Sequence, residues 1–139
     1  MKINEILKKC HVSYYVQNIK NFDIKGISFD SKTVKENFIF AVVKGFKDDG
    51  EKYIKDLKKF KHIGIVVREG FKTKKDHQNL LIIRTKNVRE LAGEIASLIY
   101  PNTINEKIAI TGTNGKTSIS HYIAEISSNQ KISNCIFGT

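Results

Sequence analysis

Apolar and polar positions along the chain alternate between helical and strand rhythms. Ile3, Ile6 and Leu7 fall on one face of a short amphipathic helix over residues 2–9. A polar stretch follows, and Ile24 to Phe29 then reads as a strand. Asp30-Ser31-Lys32-Thr33 breaks the apolar pattern before Phe38 to Val43 resumes it as a strongly buried strand. The glycine-bounded loop Gly45-Phe46-Lys47-Asp48-Asp49-Gly50 leads into a segment with Tyr53, Ile54, Leu57 and Phe60 at helical spacing. Ile63 to Val67 and Leu80 to Ile83 are further strands, separated by a lysine-rich loop from Gly70 to Asn79. Asn87, with Glu90 three residues later, forms the capping-box pattern of a helix. That helix turns Val88, Leu91, Ile95, Leu98 and Ile99 inward and stops before Pro101, which cannot continue it.

Residues 101–106 read as a linker, after which the pattern restarts. A strand from Lys107 to Ile110 runs into a glycine loop, a helix from Ser118 to Ser128 and a strand from Asn134 to Phe137. Alternating strands and helices predict an α/β architecture, divided into domains 1–102 and 103–139. The second domain has too few elements for a core of its own, because a βαβ unit must cover both faces of its sheet. The pattern therefore predicts the front part of a longer protein. There is no internal repeat and no low-complexity segment.

Composition narrows the function classes. No apolar run approaches the ~20 residues that span a bilayer, and the amino-terminal segment is charged rather than a signal-peptide core. A cytoplasmic protein without membrane partners is the expectation. The net charge of +10 is carried mostly by lysine, with Arg68, Arg84 and Arg89 the only arginines. No base-stacking or nucleic-acid module accompanies the charge, so its expected role is attraction of anionic nucleotides, not nucleic-acid binding. Cys10 and Cys135 form no CxxC pair, and Cys10 with His11 makes no metal site. Both are expected to be reduced, with Cys135 packed in a buried strand. Asp48, Asp49, His62 and His77 read as surface or loop residues rather than an acid–base pair.

The most informative stretch runs from Ile108 to Ser118, with the loop Thr111-Gly112-Thr113-Asn114-Gly115-Lys116-Thr117 between a strand and a helix. This context is the one a phosphate loop requires. Gly112 and Gly115 permit a tight turn and close approach of the backbone to an anion. Amides from Gly112 through Ser118 would then face phosphate oxygens at a helix N-terminus. Lys116 would neutralise the β- and γ-phosphates of ATP, and the Thr117 hydroxyl would ligate magnesium. The general pattern has four residues between the first glycine and the Gly-Lys pair; here there are two.

That shortened loop resembles the ATP loop of the Mur ligases and of the related folylpolyglutamate synthetases. The segments in front of it separate the two groups. Ile27-Ser28-Phe29-Asp30-Ser31-Lys32, the strand Asn37 to Val42, and the Gly45–Gly50 loop before Tyr53-Ile54 resemble the front domain of Mur ligases that add the third and later residues of the peptidoglycan stem. Folylpolyglutamate synthetases lack that domain. The resemblance covers essentially the whole chain.

It implies a Mur ligase N-terminal UDP-binding domain followed by the start of a P-loop ATPase domain. Ser31 and Phe29 would contact the uracil end of the substrate, with Phe46, Lys47 and Asp48 in the other nucleotide-contacting stretch. Lys32 stands where the family has arginine, keeping the charge without the planar fork. Phe46 stands where polar residues are common. Three features favour the third-residue enzyme: Thr113 in the loop, the strand end Ile136-Phe137-Gly138-Thr139, and the helix from Leu91-Ala92 to Tyr100-Pro101.

The implied activity is ATP- and magnesium-dependent amide ligation through an acyl phosphate. It would join meso-diaminopimelate, or L-lysine, to UDP-N-acetylmuramoyl-L-alanyl-D-glutamate, with Lys116 as the catalytic cation of a monomer. The alternatives are a D-alanyl-D-alanine-adding Mur ligase and a non-catalytic module that binds UDP-muramyl precursors. As a fragment, the chain is expected to be inactive as a ligase.

Overall fold

Among the described residues, five strands form one sheet in the first part of the chain, in the spatial order Tyr14–Gln17, Leu81–Thr85, Ile63–Arg68, Phe38–Ala41 and Gly26–Ser28. The computed structural model describes residues 1–43, 50–101, 103–104 and 106–138, apart from the Asp76 side chain. The strands are β1 (Tyr14–Gln17), β2 (Gly26–Ser28), β3 (Phe38–Ala41), β4 (Ile63–Arg68) and β5 (Leu81–Thr85). β2 through β5 are parallel, and β1 adds an antiparallel edge beside β5. The sequence pattern missed β1. With Tyr14 and Tyr15 exposed, it lacks the apolar alternation that marks a half-buried strand.

Side chains alternate across the pleat and feed two cores. On one face Ile39, Val66, Leu81 and Ile83 pack with α1 (Ile3–Lys8) and α2 (Val88–Ile99), which contribute Ile3, Ile6, Leu7, Leu91 and Ile95. On the other, Phe40, Ile63, Ile65, Val67 and Ile82 meet Ile54 and Leu57. Ile54 and Leu57 sit on a 3₁₀ helix, Gly50–Lys59. Their i, i+3 spacing, continued by Phe60, eclipses on a helix of three residues per turn, so the expected helix forms in this tighter geometry. Each fully buried aliphatic side chain contributes about 1.5–3 kcal/mol.

Asn87 caps α2, its Oδ1 accepting the Glu90 amide at 3.3 Å. The reciprocal arm differs from a standard capping box: Glu90 Oε2 accepts from the Asn87 side-chain amide at 2.9 Å. Glu94, further along α2, accepts the amides of His11 and Val12 at 2.9 and 3.1 Å, tying the segment before β1 to the helix. Thr85, fully buried, donates to the Ser13 carbonyl at 2.9 Å.

These elements form the unit Met1–Asn102; the second unit is Thr103–Thr139. The second unit contains α3 (Lys116–Asn129), which starts two residues earlier than the sequence indicated. Lys107–Ile110 and Asn134–Phe137, expected as strands, pair with no strand among the described residues. Two short apolar segments that pair with no sheet gain too few ladder bonds and too little burial to form strands. Cys135 is correspondingly exposed rather than buried. Ile108, Tyr122, Ile126 and Phe137 are exposed as well.

Candidate functional site

Because β2 to β5 are parallel, their carboxyl ends share one edge of the sheet, where α/β sheets bind ligands. The turn after β2 opens at that edge. Asp30 Oδ1 accepts the Lys32 amide at 2.9 Å, and the Asp30 carbonyl accepts the Thr33 amide at 3.1 Å. Ser28 Oγ accepts the Asp30 amide at 2.9 Å and lies 2.6 Å from the Thr33 hydroxyl. Asp30, Ser28 and Thr33 thus fix the turn, in the way short polar side chains stabilise such bends. Phe29 and Ser31 ride on that frame, Phe29 exposed to 55% and Ser31 half-buried. Phe46, Lys47 and Asp48 lie outside the described residues.

The same edge carries a cleft of about 220 Å³ at the ends of β3, β4 and β5 and the start of α2. Arg68, Lys86 and Arg89 line it, with Glu51 and Asn87. Glu51 pairs with Arg68 at 3.7 Å. Sequence reasoning named Arg68 and Arg89 only as two of the three arginines and did not single out Lys86. Their signal was positional: Arg68 ends a parallel strand, and Lys86 and Arg89 bracket the next strand-to-helix turn.

In the second unit, Gly112 and Gly115 adopt φ of 152° and 79°, backbone that glycine alone adopts readily. Gly115 is the N-cap of α3, so the loop's amides lead into the helix N-terminus. Lys116 Nζ donates to the carbonyls of Gly112 and Thr113, the latter at 3.3 Å. Thr117 and Ser118 follow in the first turn. Thr113 and Asn114 form the exposed tip of the loop.

Two of the four histidines, His62 and His77, differ. His62 lies at the surface, its Nδ1 3.1 Å from Glu36 Oε1. His77, expected as a surface or loop residue, lies in the connection between β4 and β5 but is buried there: its ring stacks on Phe71 at 5.3 Å and its Nδ1 accepts the Lys74 amide at 3.2 Å. The aromatic partner six residues upstream gives it a packing role. Cys10 Sγ donates to the Ile6 carbonyl at 3.4 Å, and burial together with the Glu94 carboxylate pushes its thiol up to about 11. No group of three or more metal-ligating side chains occurs among the described residues. No helix among them is long and apolar enough to cross a membrane.

The described residues thus comprise an α/β unit with a five-stranded sheet and a second unit in which a glycine loop leads into the N-terminus of a helix. No family model matches the chain. It is 34% identical over 128 residues to the UDP-N-acetylmuramoyl-L-alanyl-D-glutamate--2,6-diaminopimelate ligase of Clostridium tetani, covering 91% of this chain and 26% of that protein. The protein of the same name from Caldanaerobacter subterraneus is 29% identical across the whole of this chain and 28% of its own length. The one from Rickettsia conorii is 37% identical over 109 residues, 78% of this chain and 22% of its own length. The chain belongs to the Mur ligase family, and it spans about a quarter of the length of the curated relatives it matches.

Proposed function

We propose that this chain is the front part of an ATP-dependent ligase that adds a diamino acid to UDP-N-acetylmuramoyl-L-alanyl-D-glutamate. The observation that carries this is the length of the match. At 128 residues it exceeds the whole of Met1–Asn102, so the similarity includes both the β2 turn and the start of the glycine-loop unit. In this reading residues 1–102 hold the UDP end of the substrate and residues 103–139 begin an ATP-binding P-loop domain. The cellular site is the cytoplasm, where UDP-linked precursors and ATP coexist.

The loop suits a nucleotide's phosphate chain. Its two positive-φ glycines carry no Cβ to obstruct an approaching anion. The amides leading into α3 supply donors and the positive end of the helix dipole. Lys116 neutralises phosphate charge, and Thr117 offers a hydroxyl to magnesium. When bound, ATP would supply the phosphoryl group that activates the D-glutamate side-chain carboxylate as an acyl phosphate, with ADP leaving and magnesium offsetting the phosphate charge, and attack by the incoming amine would form the amide and release phosphate. At the β2 turn, Ser31 hydrogen-bonds the uracil and Phe29 covers its face. The choice of diaminopimelate over lysine follows the names of the relatives.

Isotope-labelled chain titrated separately with UDP-N-acetylmuramoyl-L-alanyl-D-glutamate and with magnesium–ATP tests the proposal by NMR. The first ligand is expected to shift amides around Phe29 to Thr33, the second those of Gly112 to Ser118. Shifts at neither location would overturn it.

A further inference from the structure

We infer that a lysine-walled cleft between the 3₁₀ helix and the connection from β4 to β5 is a docking groove for an extended acidic segment of a partner protein. The inference is independent of the nucleotide reading, because no described residue of the β2 turn or the glycine loop lines this cleft. It measures about 560 Å³ and lies among the elements that cover the Phe40, Ile65 and Ile82 face of the sheet. The ion pair of Arg68 with Glu51, at 3.7 Å, is shared with the smaller cleft at the strand ends.

Helix geometry builds the first wall. With three residues per turn, Ile54 and Leu57 share the row that enters the core, and Lys52, Lys55 and Lys58 share the next row. An α-helix would rotate each lysine about 60° from the last. Here they stand in line, about 6 Å apart at the rise of a 3₁₀ helix. All three are exposed and line the cleft.

The second wall is the start of the connection, which contributes Lys72 and Lys74. Arg84 holds that stretch in place. Its Nη1 donates to the carbonyls of Glu69 at 3.2 Å and Phe71 at 2.5 Å, and its Nη2 to the Thr73 hydroxyl at 2.5 Å. A wall fixed before binding loses less conformational freedom when a partner arrives.

Spacing and lining chemistry select the occupant. In an extended strand, side chains two residues apart point the same way and lie about 6.6 Å from each other. Acids at alternate positions therefore match the lysine row along its length. Phe71 and His77 are buried and stacked on each other at 5.3 Å, so neither offers a platform for a nucleic-acid base. Lysine also supplies point charges rather than the planar fork with which arginine grips phosphate.

The test measures binding of a fluorescent decapeptide of alternating Glu and Thr to the 139-residue chain by anisotropy. A Gln-Thr decapeptide and a ten-nucleotide oligouridylate are the comparisons. The acidic peptide is expected to bind more tightly than either, to weaken with salt and to shift the amides of residues 52–58 and 70–74 in NMR spectra. Lys55→Gln/Lys72→Gln/Lys74→Gln is expected to lose about tenfold or more in affinity. Lys25→Gln/Lys35→Gln/Lys107→Gln, of the same net charge, is expected to lose less than about threefold. All six lysines are exposed, so both variants should melt with the wild type. Equal losses in the two variants, amide shifts elsewhere, or tighter binding of oligouridylate than of the peptide would overturn the inference. Displacement of the peptide by UDP would also overturn it, returning the cleft to the nucleotide edge. Peptide binding at the cleft in a chain that binds no UDP upholds the groove while removing the nucleotide reading.

Discussion

Lys116 reaches back to the carbonyl of Gly112, four residues earlier in its own loop, and to that of Thr113 at 3.3 Å. The cation is thereby held at the mouth of the turn it would serve. In the proposed ATP loop, an arriving phosphate would exchange two neutral acceptors for charged ones, which would roughly double the strength of each hydrogen bond. Lys116→Met removes that exchange. Magnesium–ATP affinity is expected to fall at least tenfold by calorimetry, with no change in the melting of the Met1–Asn102 unit. Unchanged affinity would separate Lys116 from phosphate binding.

Gly26 begins the strand that leads to the β2 turn, and a Cβ there would lie 2.6 Å from Phe38 Cζ and 2.7 Å from the Tyr100 hydroxyl. Gly64 on β4 faces only ordinary contacts, the nearest Leu81 Cδ2 at 3.4 Å. Gly26→Ala is expected to destabilise the protein by about 1–3 kcal/mol through overpacking, and Gly64→Ala by less. Urea denaturation of the two variants checks the order. The reverse order would mean that Phe38 and Tyr100 yield more readily than their packing indicates.

Glu36 bridges to the segment before β4. Partial desolvation raises its pKa, but the amides of His62 and Lys61, at 2.6 and 3.1 Å, and the His62 ring more than offset this and lower it. A carboxylate whose folded pKa is lowered contributes stability above its unfolded pKa and loses it as pH falls through the folded value. The stability gap between wild type and Glu36→Gln is therefore expected to narrow on acidification below about pH 4.3. Because Glu36 is 46% exposed, the gap is small and shrinks in high salt. A gap constant from pH 7 to pH 3 would contradict this assignment.

The two thiols should differ sharply in reactivity. Cys10 is partly buried, donates to the Ile6 carbonyl and has its pKa pushed up to about 11, whereas Cys135 is exposed. At neutral pH iodoacetamide is expected to modify Cys135 well before Cys10, with peptide mass spectrometry as the readout. The raised Cys10 pKa also predicts stability that is full below about pH 9 and falls as pH rises toward 11. Equal labelling rates would show Cys10 to be open to solvent.

Much of the first unit was legible because burial there follows simple periods. Ile39, Val66 and Ile83 alternate with Phe40, Ile65 and Ile82, and the Asn87 cap marks the start of α2. β1 escaped because an edge strand with two exposed tyrosines carries no apolar period. The ends of the second unit were overread: Lys107–Ile110 and Asn134–Phe137 have strand-like sequences, but pairing needs neighbours that the local sequence does not reveal. The glycine loop was visible as a motif, since φ of 152° and 79° fall on Gly112 and Gly115. The cleft of Arg68, Lys86 and Arg89 was not. Only the sheet order brings residues 68 and 86–89 to one edge.

The most direct test of the central claim is calorimetric titration of the 139-residue chain with UDP-N-acetylmuramoyl-L-alanyl-D-glutamate, compared with ADP-glucose as a matched nucleotide sugar. Saturable binding of the muramyl precursor is predicted, weaker by about tenfold in Ser31→Ala and absent for ADP-glucose. Equal binding of both ligands, insensitive to Ser31, would contradict the assignment of this unit to UDP-precursor recognition.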